Sequence, residues 1–193
     1  MHRIYETSAF ILSSIPRGEA DRQLLLYTRE FGLIWATAQG LRELKSKLRY
    51  SLQIYSRSTV SLVRGRTGWR VTNARLEQSY FSVLVGTEKN VILGRVHSLL
   101  RRLVRGQESH HALFDALREG FSFLINAPET SLQEAELLLV LCTLHHLGYL
   151  GDSAMSHMLL TSGFWNLEAI SEVTRERRTL IKSVNESLRL SHL

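Results

Sequence analysis

The sequence is poor in the residues that build covalent and metal frameworks. It holds one cysteine, Cys142, in 193 residues. No intrachain disulfide can form, and a closed zinc site made of cysteine pairs is excluded. Two prolines and twelve glycines are too few for a collagen-like, linker-like or disordered chain. Aspartate occurs only at Asp21, Asp115 and Asp152, which does not suit a clustered two-metal carboxylate site. Long apolar runs are missing too. The longest uncharged stretches, Leu137–Gly151 and Ser153–Leu167, are 15 residues each, short of the ~20 that a membrane span requires. The first contains Thr143, His145 and His146, which suits a buried core helix better than lipid. The opening Met1-His2-Arg3-Ile4-Tyr5-Glu6 has no apolar region before its acidic residue and does not read as a signal peptide. A reducing cytoplasm and no membrane are the expectation. There is no P-loop, G-x-G-x-x-G, H-E-x-x-H or G-x-S-x-G motif, so no enzyme, cofactor or bound metal is expected.

Positive charge is in excess, and it is unevenly placed. The formal net charge is +6 and the pI about 9.8. Residues 1–86 carry 13 Lys/Arg against 6 Asp/Glu, whereas the remainder carries 11 against 12. A chain whose excess charge lies in one half points that half toward a polyanion.

The two halves also differ in period. Up to about Phe81 the apolar runs are short, β-rich and closed by turn signals. Phe10-Ile11-Leu12 ends at Pro16-Arg17-Gly18, Leu24–Thr28 at Glu30-Phe31-Gly32, and Leu33–Ala38 at Gly40. Leu52–Val63 alternates loosely. Gly65-Arg66-Thr67-Gly68 predicts a hairpin leading to Trp69–Thr72, with Ala74–Phe81 beyond. About five strands in about 80 residues predict a small barrel or sandwich. After Gly86 the spacing becomes helical. Val91, Ile92, Val96, Leu99, Leu100 and Leu103 recur at three and four, with Gly106 as the expected C-cap. A second helix covers His111–Asn126, stopped by Pro128. Ser131-Leu132-Gln133-Glu134 reads as a capping box opening Leu132–Leu147, with Gly148 at its exit. A short helix over Ser153–Leu160 and a last one over Leu167–Leu190 complete the pattern. The expected organisation is an α+β chain with a β-barrel domain over residues 1–84 and a helical domain over 85–193.

Segment Gly40–Tyr50 is the most informative. Arg42, Lys45, Lys47 and Arg49 fall within eight residues, opposed only by Glu43, and Ser46 adds a hydroxyl donor. Flexible Lys and forked Arg suit a phosphate backbone, and a glycine-led loop lets it approach. Arg64, Arg66 and Arg70 form a second basic cluster around the expected hairpin. Tyr27, Trp35, Tyr50, Tyr55 and Trp69 are interleaved with these charges. Most such rings are expected in the core. Trp69, beside Arg70 and just past the turn, is the chosen candidate for stacking on a base. Adjacent His145 and His146 point about 100° apart and do not form a metal pair. Cys142 has no cationic neighbour in sequence to make it a thiolate.

Ala9-Phe10-Ile11-Leu12, Gly18-Glu19-Ala20-Asp21-Arg22, Leu26–Gly32, Ala38-Gln39-Gly40-Leu41-Arg42, Lys45-Ser46-Lys47-Leu48 and Leu52-Gln53, taken in order, resemble the N-terminal domain of the RecO family of bacterial recombination mediators. Leu144-His145-His146-Leu147-Gly148-Tyr149 resembles that family's helix ending in Leu-Gly-Tyr, and Asn185–Leu193 its last helix. The resemblance implies an OB-fold followed by a helical domain, binding of single- and double-stranded DNA, annealing of complementary strands, and partnership with RecR and the single-strand-binding protein SSB. It carries the DNA contacts onto Arg42, Lys45, Lys47 and Arg49. Many members have a four-cysteine zinc element after Leu-Gly-Tyr. Gly151–Gly163 contains no cysteine, so the resemblance implies a short form without it. Members often place basic residues before that helix, near where the acidic SSB tail docks. Gln133, Glu134 and Glu136 stand there instead, which leaves Arg101, Arg102 and Arg105 as the alternative contact. Two rival functions stay open: a non-catalytic adaptor for protein partners, and an RNA-binding OB-fold protein.

Overall fold

The computed structural model describes residues 3–80, 87–150 and 165–190. Five strands come first: β1 (Ile4–Arg17), β2 (Asp21–Thr28), β3 (Gly32–Ala38), β4 (Ser56–Gly65) and β5 (Gly68–Ser79). They close into a barrel in the order β1-β2-β3-β5-β4. Every pairing is antiparallel except β3 with β5, which run parallel from Ala36–Trp69 to Ala38–Val71. This is the five-stranded barrel of an OB-fold.

Period-two alternation fills the barrel. Ala9, Ile11, Leu24, Leu26, Ile34, Ala36, Ala38, Val60, Leu62, Trp69 and Val71 point inward and form one buried cluster. The strands differ from the sequence reading in three places. β1 runs through Pro16, which falls beyond its pairing with β4 (Ile4–Phe10), where the strand has β2 as its neighbour and the missing N–H costs no second ladder. β4 begins at Ser56, not Leu52, because Leu52 docks in the core and Tyr55 takes φ 64°, which breaks the extended run. β5 is one strand, with Asn73 paired to Ser61 where a break was expected. The two-residue connection Arg66-Thr67 between β4 and β5 is the hairpin the glycines predict.

Four helices follow: α1 (Glu88–Leu103), α2 (His111–Asn126), α3 (Leu132–His146) and α4 (Leu167–Leu190). Leu103, Leu137, Leu138, Leu141, Leu144, Ala169, Val173, Leu180 and Val184 form a buried cluster. Polar contacts tie the helices as well. Arg95 of α1 meets Glu136 of α3 at 3.1 Å, and Arg177 of α4 donates to Gln133 of α3 at 2.6 Å. Gln133 and Glu136, two of the three positions that set this chain apart in sequence, therefore hold helices together. α3 ends as expected: Gly148 takes φ 74°, its N–H reaches the His145 carbonyl at 2.9 Å, and the Tyr149 N–H reaches that of Leu144 at 2.8 Å. Its start is not a capping box. Ser131 makes no side-chain cap bond and donates its hydroxyl to the Pro128 carbonyl, because a 3-10 turn over Glu129–Ser131 has already oriented the backbone. The helix expected over Ser153–Leu160 lies outside the described residues, as do the cysteine-free Gly151–Gly163 stretch and the end of the Asn185–Leu193 match.

Two compact units result. One is the barrel together with the returning segment Val104–His111; the other is built on the helices. Gly106 is thus not the cap of α1. It lies past the helix end, and its carbonyl accepts the Leu33 N–H at 3.1 Å. Tyr27 donates its hydroxyl to the His110 carbonyl at 3.4 Å. Gly32, with φ 61°, sits so close under this segment that a Cβ would collide with the Glu108 carbonyl.

Candidate nucleic-acid interface

The loop between β3 and β4 is built on three leucine anchors. Leu41 and Leu52 are buried in the barrel core and Leu48 packs against it. Between the anchors the backbone makes successive three-residue turns, Glu43 N–H to Gly40, Ser46 to Glu43 and Arg49 to Ser46, at 3.1–3.3 Å. The loop is tethered at its start, where the Gly40 N–H donates to the Asp21 carboxylate at 2.9 Å and the Arg42 N–H to the Ala20 carbonyl at 2.9 Å. Its end is held by the Ser58 hydroxyl on the Ser51 carbonyl. Burying the leucines leaves Arg42, Lys45, Lys47 and Arg49 exposed and Ser46 half-buried. Leu44 at the outer turn is 90% exposed and Tyr50 63%.

The second cluster reaches the same region. The β1–β2 turn, the end of β3 and the β4–β5 hairpin meet at one end of the barrel, as the pairs Arg17–Asp21, Arg22–Ala38, Ala38–Val71 and Gly65–Gly68 require. A groove there is lined by Arg17, Thr37, Gln39, Arg66, Trp69 and Arg70. Arg17 donates to the Thr37 hydroxyl at 2.5 Å and Arg70 to the Gln39 amide oxygen at 3.5 Å. A second cleft, lined by Arg22, Arg42 and Arg49 among others, opens on the other side of the β1–β2 turn. In OB-folds the β1–β2 and β4–β5 loops and the β2–β3 face are where oligonucleotides bind. Among the described residues, Arg42, Lys45, Lys47, Arg49, Arg64, Arg66 and Arg70 form no ion pair. Their charge is left for a ligand.

Trp69 is not a stacking platform. It is 7% exposed, edge-on to Tyr5 with ring centroids 5.5 Å apart, and 5.1 Å from the Phe31 ring. It shares the inward parity of Val71, while Arg64 lies over its rim at 5.6 Å. Among the strand aromatics Trp35 is the open one, 43% exposed. It shares the outward parity of Thr37, and the Arg17–Thr37 contact lies on that same face. Arg17, Arg22 and Trp35 were not singled out from the sequence. The strand parity of Trp35 with polar Thr37, and the position of the two arginines on either side of the Gly18 turn, carry the signal.

The remaining chemistry-bearing residues are elsewhere. Cys142 is buried in α3, and burial followed by the charge of Glu119 pushes its thiol up to about 12. His145 and His146 stack edge-on at 5.3 Å; burial and then the His145 charge lower His146. No group of three or more His, Cys, Asp or Glu able to hold a metal occurs among the described residues. No helix among them is long and apolar enough to cross a membrane. Arg101 and Arg102 close the last turn of α1, whereas Arg105 belongs to the segment packed with the barrel.

The fold and its unneutralised rim define an OB-barrel protein with a cationic loop system. Comparison with known proteins gives the family. Residues 1–80 match the family described as Recombination protein O N terminal. The chain is 30% identical over 128 residues to the DNA repair protein RecO of Dehalococcoides mccartyi, covering 66% of this chain and 51% of that one. It is 40% identical over 80 residues to that of Acaryochloris marina, covering 42% and 27%. It is 27% identical over 146 residues to that of Desulfitobacterium hafniense, covering 76% and 52%. Residues 1–80 carry the N-terminal domain of the RecO family, and the similarity to its curated members extends over as many as 146 residues. It spans about half the length, or less, of the curated relatives it matches.

Proposed function

We propose that the barrel domain, residues 1–84 with the returning segment Val104–His111, binds single- and double-stranded DNA and anneals complementary strands in recombinational repair. The observation that carries this reading is the convergence of two basic clusters at the loop end of an OB barrel, where their cations form no ion pair among the described residues although Asp21 and Glu43 lie nearby. The kinship to proteins named DNA repair protein RecO supports it. The mechanism is electrostatic and needs no covalent chemistry. Arg42, Lys45, Lys47 and Arg49 neutralise phosphates, with Ser46 as a further donor. Arg64, Arg66 and Arg70 extend the track around the hairpin. Neutralising both strands lowers their mutual repulsion and lets bases pair. Trp35 replaces Trp69 as the ring on which a base stacks.

Fluorescence anisotropy with a labelled single strand across a salt series tests the reading. Four neutralised phosphates predict a slope of log affinity against log salt near −2.8. Changing Arg42, Lys45, Lys47 and Arg49 together to Glu should weaken binding at least about a hundredfold while the circular dichroism spectrum is kept. A salt-independent affinity, or equal binding by that variant, overturns the assignment. If wild type does not bind, the adaptor role takes its place. RNA of the same sequence binding clearly tighter would favour the RNA reading, since the 2′-hydroxyl separates the two. RecR and SSB are the protein partners to test. Unchanged SSB-tail binding after Arg101, Arg102 and Arg105 are changed to Ala would remove those residues from that contact.

A further inference from the structure

The cleft beside the basic loop has a feature that phosphate neutralisation does not require. It has a volume of about 540 Å³, within the ~300–1,000 Å³ range of small-molecule sites. Arg22, Arg42 and Arg49 are cationic, while Leu41, Leu52, Ile54 and Tyr55 supply apolar and aromatic lining, with Ser14 and Gln53 completing it. Arg22 donates to the Ser14 carbonyl and hydroxyl at 3.4 and 3.3 Å, and Arg42 to the Gly18 carbonyl at 3.3 Å. These acceptors orient the guanidinium groups without cancelling their charge. Tyr55 is the one described non-glycine residue with positive φ, at 64°. Both sides of its backbone are pinned: its N–H donates to the Ile11 carbonyl at 3.3 Å, and its carbonyl accepts the Tyr80 N–H at 2.9 Å. A bulky residue held in the left-handed region at a ligand-sized cleft is the pattern of a clamp.

We propose that this cleft takes one unstacked nucleotide of a bound single strand, its phosphate held by Arg42 and Arg49 with Arg22, and its base laid against Tyr55 over Leu41, Leu52 and Ile54. A solvated phosphate track needs neither an apolar floor nor a strained aromatic. A base has a π-face that every sequence shares, so the site reads the presence of a base and not its identity. The inference rests on the DNA-binding reading and adds a base contact to it.

The test compares a labelled oligothymidylate with an abasic strand of equal length and charge, by anisotropy, on wild type and Tyr55→Gly. Glycine suits φ 64° and removes the ring while keeping the backbone. Wild type should bind the base-bearing strand about tenfold more tightly, at the same salt slope. Tyr55→Gly should lower that affinity severalfold, the stacking on Trp35 remaining, and leave abasic binding unchanged. Equal binding of the two strands by wild type overturns the nucleotide site alone. A base preference that Tyr55→Gly leaves undiminished overturns it as well. Failure of wild type to bind either strand overturns the DNA-binding reading, and this site with it.

Discussion

The barrel and the helical unit handle charge in opposite ways. In the helices, cations are matched within the fold: Arg95 with Glu136, Arg118 with Asp115 and Glu119, Arg175 with Glu172, and Lys182 with Glu186. The barrel pairs some of its own, such as Arg57 with Glu77 at 3.1 Å and Arg29 with Glu30 at 3.5 Å. It nevertheless leaves the β3–β4 loop and the β4–β5 hairpin unmatched. Exposed pairs contribute at most about 1 kcal/mol each, so the helical arrangement is chiefly neutral bookkeeping of surface charge. Unpaired cations crowded at one barrel end repel one another, and a polyanion relieves that repulsion. The lesson is that net charge alone is a poor guide: the helical unit has many arginines and almost no excess field.

The two tryptophans of the barrel sharpen this contrast between folding and binding surfaces. Trp69→Ala should cost about 3–5 kcal/mol of stability in denaturant unfolding, as large-to-small changes in a core do. Trp35→Ala should leave stability within about 1 kcal/mol but weaken single-strand binding about tenfold. A reversal of the two outcomes would break the assignment of inner and outer face.

The parity of these rings is legible in the sequence. Leu33-Ile34-Trp35-Ala36-Thr37-Ala38 alternates, and Thr37 marks the outer face; Trp69-Arg70-Val71-Thr72 alternates, and Arg70 marks it. Adjacency to Arg70 was the wrong cue, since neighbours in a strand point to opposite faces. The barrel itself and the basic loop were legible because period-two runs and turn glycines are local signals. The return of Val104–His111 to the barrel was not, because no local period encodes a contact with Leu33 about seventy positions away. The failed capping box at Ser131 is a related case: a preceding 3-10 turn, not a side chain, starts that helix.

Glycines compare the units at a smaller scale. Gly32→Ala meets both a positive φ and the Glu108 backbone, so about 3 kcal/mol of stability should be lost. Hydrogen exchange of the Leu33 amide should quicken, since its bond to Gly106 is displaced. Gly120→Ala, in α2, places a methyl 2.5 Å from the Trp165 ring and 2.7 Å from Leu139. Overpacking of that kind costs about 1–3 kcal/mol and leaves Leu33 exchange unchanged. Equal effects on Leu33 would mean that the two units do not respond separately.

Stability also depends on pH. His97 of α1 is buried against Phe121, 5.7 Å between ring centroids, and burial lowers it from 6.5 to about 3. It stays neutral in the fold but protonates in the unfolded chain below pH 6.5. The unfolded state then binds more protons, so stability is full above pH 6.5 and declines as pH falls toward about 3. The loss should be about 2 kcal/mol by pH 5. His97→Leu should flatten that decline in denaturant titrations; an unchanged pH profile would assign it to another group.

The segment Val104–His111 also bears on how the chain is made. During synthesis β1 to β5 leave the ribosome before α1, yet the barrel unit draws its last pieces from beyond that helix. Tyr27 and Leu33 therefore wait for partners that emerge some eighty residues later. The barrel sheet can form early, but its unit is complete only after α1 has been made, which makes that helix, in sequence, an insertion within the first folding unit. A fragment ending at the last strand would leave the Tyr27 hydroxyl and the Leu33 N–H without these partners.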